Sequence, residues 1–157
     1  MLNALPLLGP EPFLAISGDV WCDVDVAALP AEPAGLAHLL MVDNPPHHPD
    51  GDFALDAQGV LQLSGQPKLT FSGIGVFRPQ LLEGWQELAG TPVTSAVPAF
   101  KLRRLLEPAI AHGEVTGSRH RGGWTDVGTP ARLARIDAAL QSTAVPFGQG
   151  EAGLAGS

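Results

Sequence analysis

The sequence predicts an α/β layered domain with an antiparallel excursion, and three observations carry that prediction. Compact apolar runs such as Phe13–Ser17 and Gly35–Asp43, bounded by Pro, Gly or Asn, read as strands with both faces covered. Segments with helical apolar spacing, such as Phe100–Ala111, separate the strands. The chain holds 19 glycines and 15 prolines in 157 residues, well above the usual share of about 12%, with no G-X-Y period. That composition implies many tight turns and excludes collagen and long coiled coils.

The elements follow in order. Leu2–Leu8 reads as the last turns of a short helix, stopped by Gly9-Pro10. Phe13–Ser17 is the first strand, Val24–Leu29 a short helix, and Gly35–Asp43 a second strand closed by Asn44-Pro45-Pro46. Asp52–Leu55 and Val60–Leu63 flank Asp56-Ala57-Gln58-Gly59, which predicts a β-hairpin with glycine in the turn. Leu69–Phe77 is a glycine-interrupted strand ended by Arg78-Pro79, and Pro79 opens a helix to about Gln86. In Phe100–Ala111, Phe100, Leu102, Leu105, Leu106, Ala109 and Ile110 share one helical face, with Pro108 bending or shortening the helix. Glu114–Val127 alternates loosely, which predicts a strand pair around Gly122-Gly123. Thr129 caps a final helix that starts at Pro130 and turns Leu133, Ile136 and Leu140 inward. The domain is thus expected over 1–141, with 142–157 as a flexible tail.

Charge is unevenly placed. The net charge is −7, yet no Lys or Arg precedes Lys68, while nine carboxylates do. An acidic half of this kind counts against binding DNA or RNA by counterion release. Apolar runs of four residues are too short for a membrane helix. The N-terminal stretch lacks a basic region and is cut by Pro6, Pro10 and Pro12, unlike a secretory signal. The single cysteine, Cys22, permits no internal disulfide, so a reducing, cytoplasmic location is expected.

Two aspartates stand where chemistry is expected. Asp19 directly follows the first strand and Gly18, at the carboxyl end where ligands of open α/β sheets sit. Its short carboxylate suits Mg²⁺, or else caps the following turn. Asp126 ends a strand just before a helix N-terminus, a position that favours anions, or else it supports the Thr129 cap. The glycines of Gly73-Ile74-Gly75 lie inside an apolar strand and lack the third glycine of a phosphate loop, so they are read as places of close backbone approach. His47-His48 reads as a solvated loop, since adjacent histidines rarely aim at one ion. His112 suits a helix C-terminus. Ser17 and Ser72 have no nearby pattern of a nucleophile. Lys101, at the start of a helix, is a surface cation or a phosphate contact.

Six segments occur together in a familiar order: ISGDVWCD at 16–23, VDNPPHH at 42–48, Gly51-Asp52-Phe53, TFSGIGVFRP at 70–79, FKLRRLL at 100–106 and GWTDVGT at 123–129. Over about residues 2–140 the chain resembles the sugar-1-phosphate nucleotidyltransferases, above all the bacterial N-acetylmuramate α-1-phosphate uridylyltransferases of cell-wall recycling. The resemblance implies the C-terminal portion of a Rossmann-like fold, a mixed sheet with flanking helices and a hairpin excursion. It also implies Mg²⁺-dependent nucleotidyl transfer from a nucleoside triphosphate to a sugar 1-phosphate. Asp19 and Asp126 match the family's metal-holding, catalytic aspartates; Gly51, Ser72 and Gly73 match its sugar pocket; Asn44, Asp52 and Lys101 are further substrate contacts by the same pattern.

The family's G-x-G-x-R loop and downstream K-P, which hold the triphosphate, have no counterpart in these residues. The expectation is therefore a sugar- and metal-binding portion, inactive alone, with a sheet edge open to self-association. Two other readings stand beside it: a non-catalytic sugar-phosphate binding or interaction module, and an enzyme acting on glucose or mannose 1-phosphate.

Overall fold

The computed structural model describes residues 1–83, 85 and 101–142. In chain order the strands are β1 (Phe13–Ile16), β2 (Val20–Cys22), β3 (Ala37–Val42), β4 (Phe53–Leu55), β5 (Leu61–Gln62), β6 (Lys68–Phe77), β7 (Val115–Arg119) and β8 (Trp124–Asp126). The helices are α1 (Leu5–Leu8), α2 (Arg103–Ala111) and α3 (Pro130–Gln141), with 3₁₀ turns at Leu2–Ala4, Val26–Ala28 and Pro79–Leu82.

β6 is the spine of a mixed six-stranded sheet. β3 lies antiparallel along one side of it. On the other side β4 pairs the start of β6, with Phe53 opposite Leu69, and β1 pairs its end, with Phe13 opposite Phe77. β7 adds to the outer side of β3 in parallel, and β5 closes the hairpin with β4. β2 and β8 form a separate two-stranded antiparallel ribbon.

The sequence of each element explains its place. β3 reads AHLLMV, and all of it except His38 is buried, as a strand flanked on both edges and covered on both faces requires. His38 is tolerated there because Thr116 Oγ1 lies 2.9 Å from its Nδ1 and Ser118 Oγ 3.0 Å from its Nε2. Burial holds its imidazole below the usual histidine range. The hairpin turn is fastened by Asp56, whose Oδ1 accepts from Gln58 N at 2.9 Å and Val60 N at 2.8 Å, with Gly59 at φ +80°. These bonds, Val60's foremost, keep its carboxyl below the ordinary range.

On α2, Leu105, Leu106, Ala109 and Ile110 are buried in one cluster with Phe53, Leu61, Phe77 and Val115. The helix runs through Pro108 to Ala111, so it is short but unbroken, its last turn closed by His112 N donating to Pro108 O at 3.1 Å.

Four expectations change. β1 is covered on one face only: Phe13 is buried while Leu14 is 40% and Ile16 51% exposed, the alternation of a strand with one bare face. The expected helix from Pro79 begins as a 3₁₀ turn, Pro79–Leu82, ended by Glu83 in extended conformation at ψ 146°; Trp85 is helical again, and Gln86 lies outside the described residues. β7 and β8 do not pair with each other; β7 joins β3 and β8 joins β2, a strand the apolar pattern had not marked. On α3 only Ile136 is buried, while Leu133 and Leu140 are more than half exposed. Phe100 and residues 143–157, the bulk of the expected tail, lie outside the described residues. No described helix is long and apolar enough to cross a membrane.

Candidate active site

The site is built around a defect in the β3–β6 ladder. Leu39 faces Gly75 and Met41 faces Phe71, so two steps along β3 match four along β6. The surplus at Ser72-Gly73-Ile74 is a bulge, which bends the strand and re-aims its side chains. Gly73 takes φ +83°, and a Cβ there would fall 2.7 Å from Ser17 Oγ, so only glycine fits. The bulge is fixed from three sides. Ser17 N donates to Gly73 O at 2.9 Å, Trp124 Nε1 donates to Ser72 O at 2.9 Å, and Ser72 Oγ accepts from Ile74 N at 3.2 Å.

An open cleft of about 430 Å³ lies against this bulge, lined among others by Ser17, Phe71, Ser72, Gly73, Trp124 and Asp126. Val20, Pro45, His47, His48 and Thr70 complete it. Its walls are mixed aromatic and polar, suited to a ligand with one apolar face and several hydroxyl groups.

Asp126 is the acidic group of the cleft. Its Oδ2 is held by an Arg132 guanidinium N–H from the first turn of α3. Its Oδ1 is buried and accepts no hydrogen bond, although His47 Nε2 stands 3.3 Å away. A buried carboxylate oxygen without a hydrogen bond is costly. Asp19 reaches the same end of the β2–β8 ribbon: Val20 faces Asp126, and Val127 N donates to Asp19 O at 2.7 Å. The topology thus makes near neighbours of two aspartates far apart in sequence. Asp19 is exposed and does not itself line the cleft.

Ser72 and Gly73 line the cleft, whereas Asn44, Gly51, Asp52 and Lys101 do not. Asn44 lies behind the wall: its Nδ2 donates to Pro49 O at 2.9 Å and Lys68 O at 3.1 Å, and its Oδ1 accepts from Thr70 Oγ1 at 2.9 Å. Gly51, at φ +64°, packs on Asn44, whose Oδ1 would be 2.7 Å from a Cβ. Asp52 Oδ2 accepts from Phe71 N at 2.9 Å, and its Oδ1 meets Arg103 at 3.1 Å and His48 at 3.3 Å. These three residues hold the 44–52 loop onto β6 and so position His47 and His48. Lys101 is exposed, just before α2, outside the cleft.

His47, His48 and Arg132 were not anticipated. The signal for the histidines was available: a rigid Asn-Pro-Pro segment leaving the carboxyl end of a buried strand. The signal for Arg132 was weaker, a cation in the helical turn that Asp126 precedes.

No family model matches the chain. It is 41% identical over 143 residues to the N-acetylmuramate alpha-1-phosphate uridylyltransferase of Neisseria meningitidis serogroup B, a match that covers 87% of this chain and 58% of that relative. The chain therefore spans little more than half the length of that relative. In fold it resembles a Bacillus anthracis protein described as a glucose-1-phosphate thymidylyltransferase, in complex with sucrose, with a TM-score of 0.60, 15% identity, and 94% of this chain and 61% of that one covered. HddC from Yersinia pseudotuberculosis, complexed with GMP-PN, gives a TM-score of 0.54 at 14% identity over 88% of this chain and 59% of its own. At those identities the likeness is one of fold. In sequence and in fold the chain is thus similar, over the portion it spans, to sugar-1-phosphate nucleotidyltransferases.

Proposed function

We propose that the cleft takes a sugar 1-phosphate with Mg²⁺, as one part of a site that passes a uridylyl group from a nucleoside triphosphate to N-acetylmuramate 1-phosphate, releasing pyrophosphate. The observation that carries this reading is Asp126 Oδ1, buried at the cleft and without a hydrogen bond, with only the His47 imidazole beside it among the described residues. A hard carboxylate oxygen is the donor type Mg²⁺ takes, and Asp19 at the same ribbon end supplies a second. Bound there, the ion would offset the charge of the phosphate groups and favour in-line attack.

The chain's own residues do the rest. Arg132 fixes the rotamer of Asp126 through Oδ2 and leaves Oδ1 free to face the ligand. The Gly73 bulge opens room for a pyranose, and Trp124 keeps that bulge in place through Ser72 O. His47 and His48 present imidazoles within reach of phosphate oxygens.

With no Lys or Arg before Lys68 and no phosphate loop, these residues hold no triphosphate cradle. The 157-residue chain alone is then a sugar-phosphate binder without turnover, in a cytoplasmic setting. The outer edge of β1, unpaired among the described residues, and the exposed Leu14 and Ile16 favour association with another strand, a second copy included.

Calorimetry of the purified chain tests the proposal, using N-acetylmuramate, glucose and mannose 1-phosphates with and without Mg²⁺. Magnesium-dependent binding strongest for the muramate is expected; equal binding of all three refutes the substrate assignment, and no binding refutes the site. Uridylyl transfer from UTP by the chain alone would refute the inactivity.

A further inference from the structure

The far end of the β2–β8 ribbon carries a second cluster, chemically unlike the cleft. The Cys22 Sγ, a carboxylate oxygen of Asp23 and a ring nitrogen of His120 all lie within 4.8 Å of one another. None of the three lines the cleft. The ladder puts Val20 opposite Asp126 and Cys22 opposite Trp124, so the cluster sits two residues further along the ribbon.

We infer that Cys22, Asp23 and His120 form a binding site for a zinc-class divalent ion. The donor set is the first argument. Thiolate and imidazole are soft-to-borderline ligands that suit Zn²⁺ and its analogues, whereas Mg²⁺ takes oxygen. Three protein donors leave a fourth tetrahedral position for water. With thiolate and carboxylate ionised, the site's charge matches that of the ion.

Preorganisation is the second argument. His120 is anchored by its backbone N, which donates to Met41 O of the buried β3 at 2.8 Å. Its Nε2 lies 2.6 Å from Asp23 Oδ1, and Asp23 Oδ2 accepts from Gly123 N at 2.9 Å. Asp23 N in turn donates to Gly123 O at 3.1 Å, which locks β2 to the 120–123 loop.

Gly122 is the third argument. A Cβ there would fall 2.4 Å from Asp23 Oδ1 and 2.7 Å from His120 Nε2. Any side chain there would collide with both donors, so glycine is what lets the loop bring them together. An ion held there would clip the loop between β7 and β8 to β2, and so brace the ribbon that carries Asp126. The site is independent of the function assigned to the cleft.

Cobalt(II) titration of the full chain is the test, because a thiolate–cobalt bond gives a charge-transfer absorption that oxygen and nitrogen ligands do not. One Co²⁺ per chain with that band is expected, displaced by Zn²⁺ but not by Mg²⁺. Cys22→Ser should abolish the band. His120→Gln should weaken binding by more than the roughly 10–100-fold that loss of an outer-shell partner costs. Zn²⁺ should raise the melting temperature of the wild-type chain and not that of Cys22→Ser, a readout that stands even where His120→Gln folds poorly. Absence of the band, its survival in Cys22→Ser, or its loss on replacing His47 and His48 in place of His120 would each overturn the site.

Discussion

β3 and β1 flank the same half of β6, yet they end in opposite conditions. Gly75 has Leu39 on one side and Ala15 on the other; Phe77 has Ala37 and Phe13. On β3, Leu39 and Met41 are fully buried, and β7 covers the outer edge. On β1, Leu14 and Ile16 are 40% and 51% exposed with no ladder partner beyond them among the described residues. Burial therefore follows from the neighbours a strand acquires more than from its own apolarity, and the two strands can be separated by mutation.

The largest difference is expected in stability. Leu39→Ala should cost about 2–5 kcal/mol, as for other buried leucines, while Ile16→Ala should stay within about 0.5 kcal/mol. Urea denaturation of both variants measures this. Equal losses would mean that β1 is as enclosed as β3. Gly73→Val tests the spine between the two strands. The positive φ alone should cost on the order of 1–3 kcal/mol, and contact with Ser17 adds to it. The variant should also lose sugar-phosphate binding in calorimetry, since the bulge forms the cleft wall.

The smallest effect is one of pH, on the β3 side. Burial lowers the His38 pKa in the folded state, so the unfolded chain binds the proton more readily. The stability tied to neutral His38 is full above the unfolded value of about 6.5 and declines as pH falls from there through the lowered folded value. His38→Gln should flatten that part of the stability–pH curve in thermal melts, and an unchanged slope would remove the assignment.

The same contrast explains what the sequence disclosed. β3, the hairpin and the Pro130 helix were legible because their signals are local: an unbroken apolar run, an Asp-to-Gly turn, a Thr-Pro start. β1's exposed face was not, because a short apolar run carries no record of whether both of its faces will be covered. The Gly122-Gly123 turn resembles a hairpin signal, but β7 and β8 find partners elsewhere in the chain, a choice made by the sheet. At the site, Asp126, Ser72 and Gly73 were identified from the family pattern and stand in the cleft. Asn44, Gly51 and Asp52 stand behind it, and their part in holding the histidine loop depends on bonds to Lys68, Thr70 and Phe71 that only the folded β6 supplies.

Manganese(II) reports most directly on whether the ribbon aspartates hold an ion at the cleft, since it takes the same oxygen ligands as Mg²⁺. Electron paramagnetic resonance titration should use the chain carrying Cys22→Ser, which removes the soft site, in the presence of N-acetylmuramate 1-phosphate. One bound Mn²⁺ is predicted, with affinity at least about tenfold weaker once Asp126→Asn or Asp19→Asn is added. Equal affinity with and without those two substitutions would contradict the account.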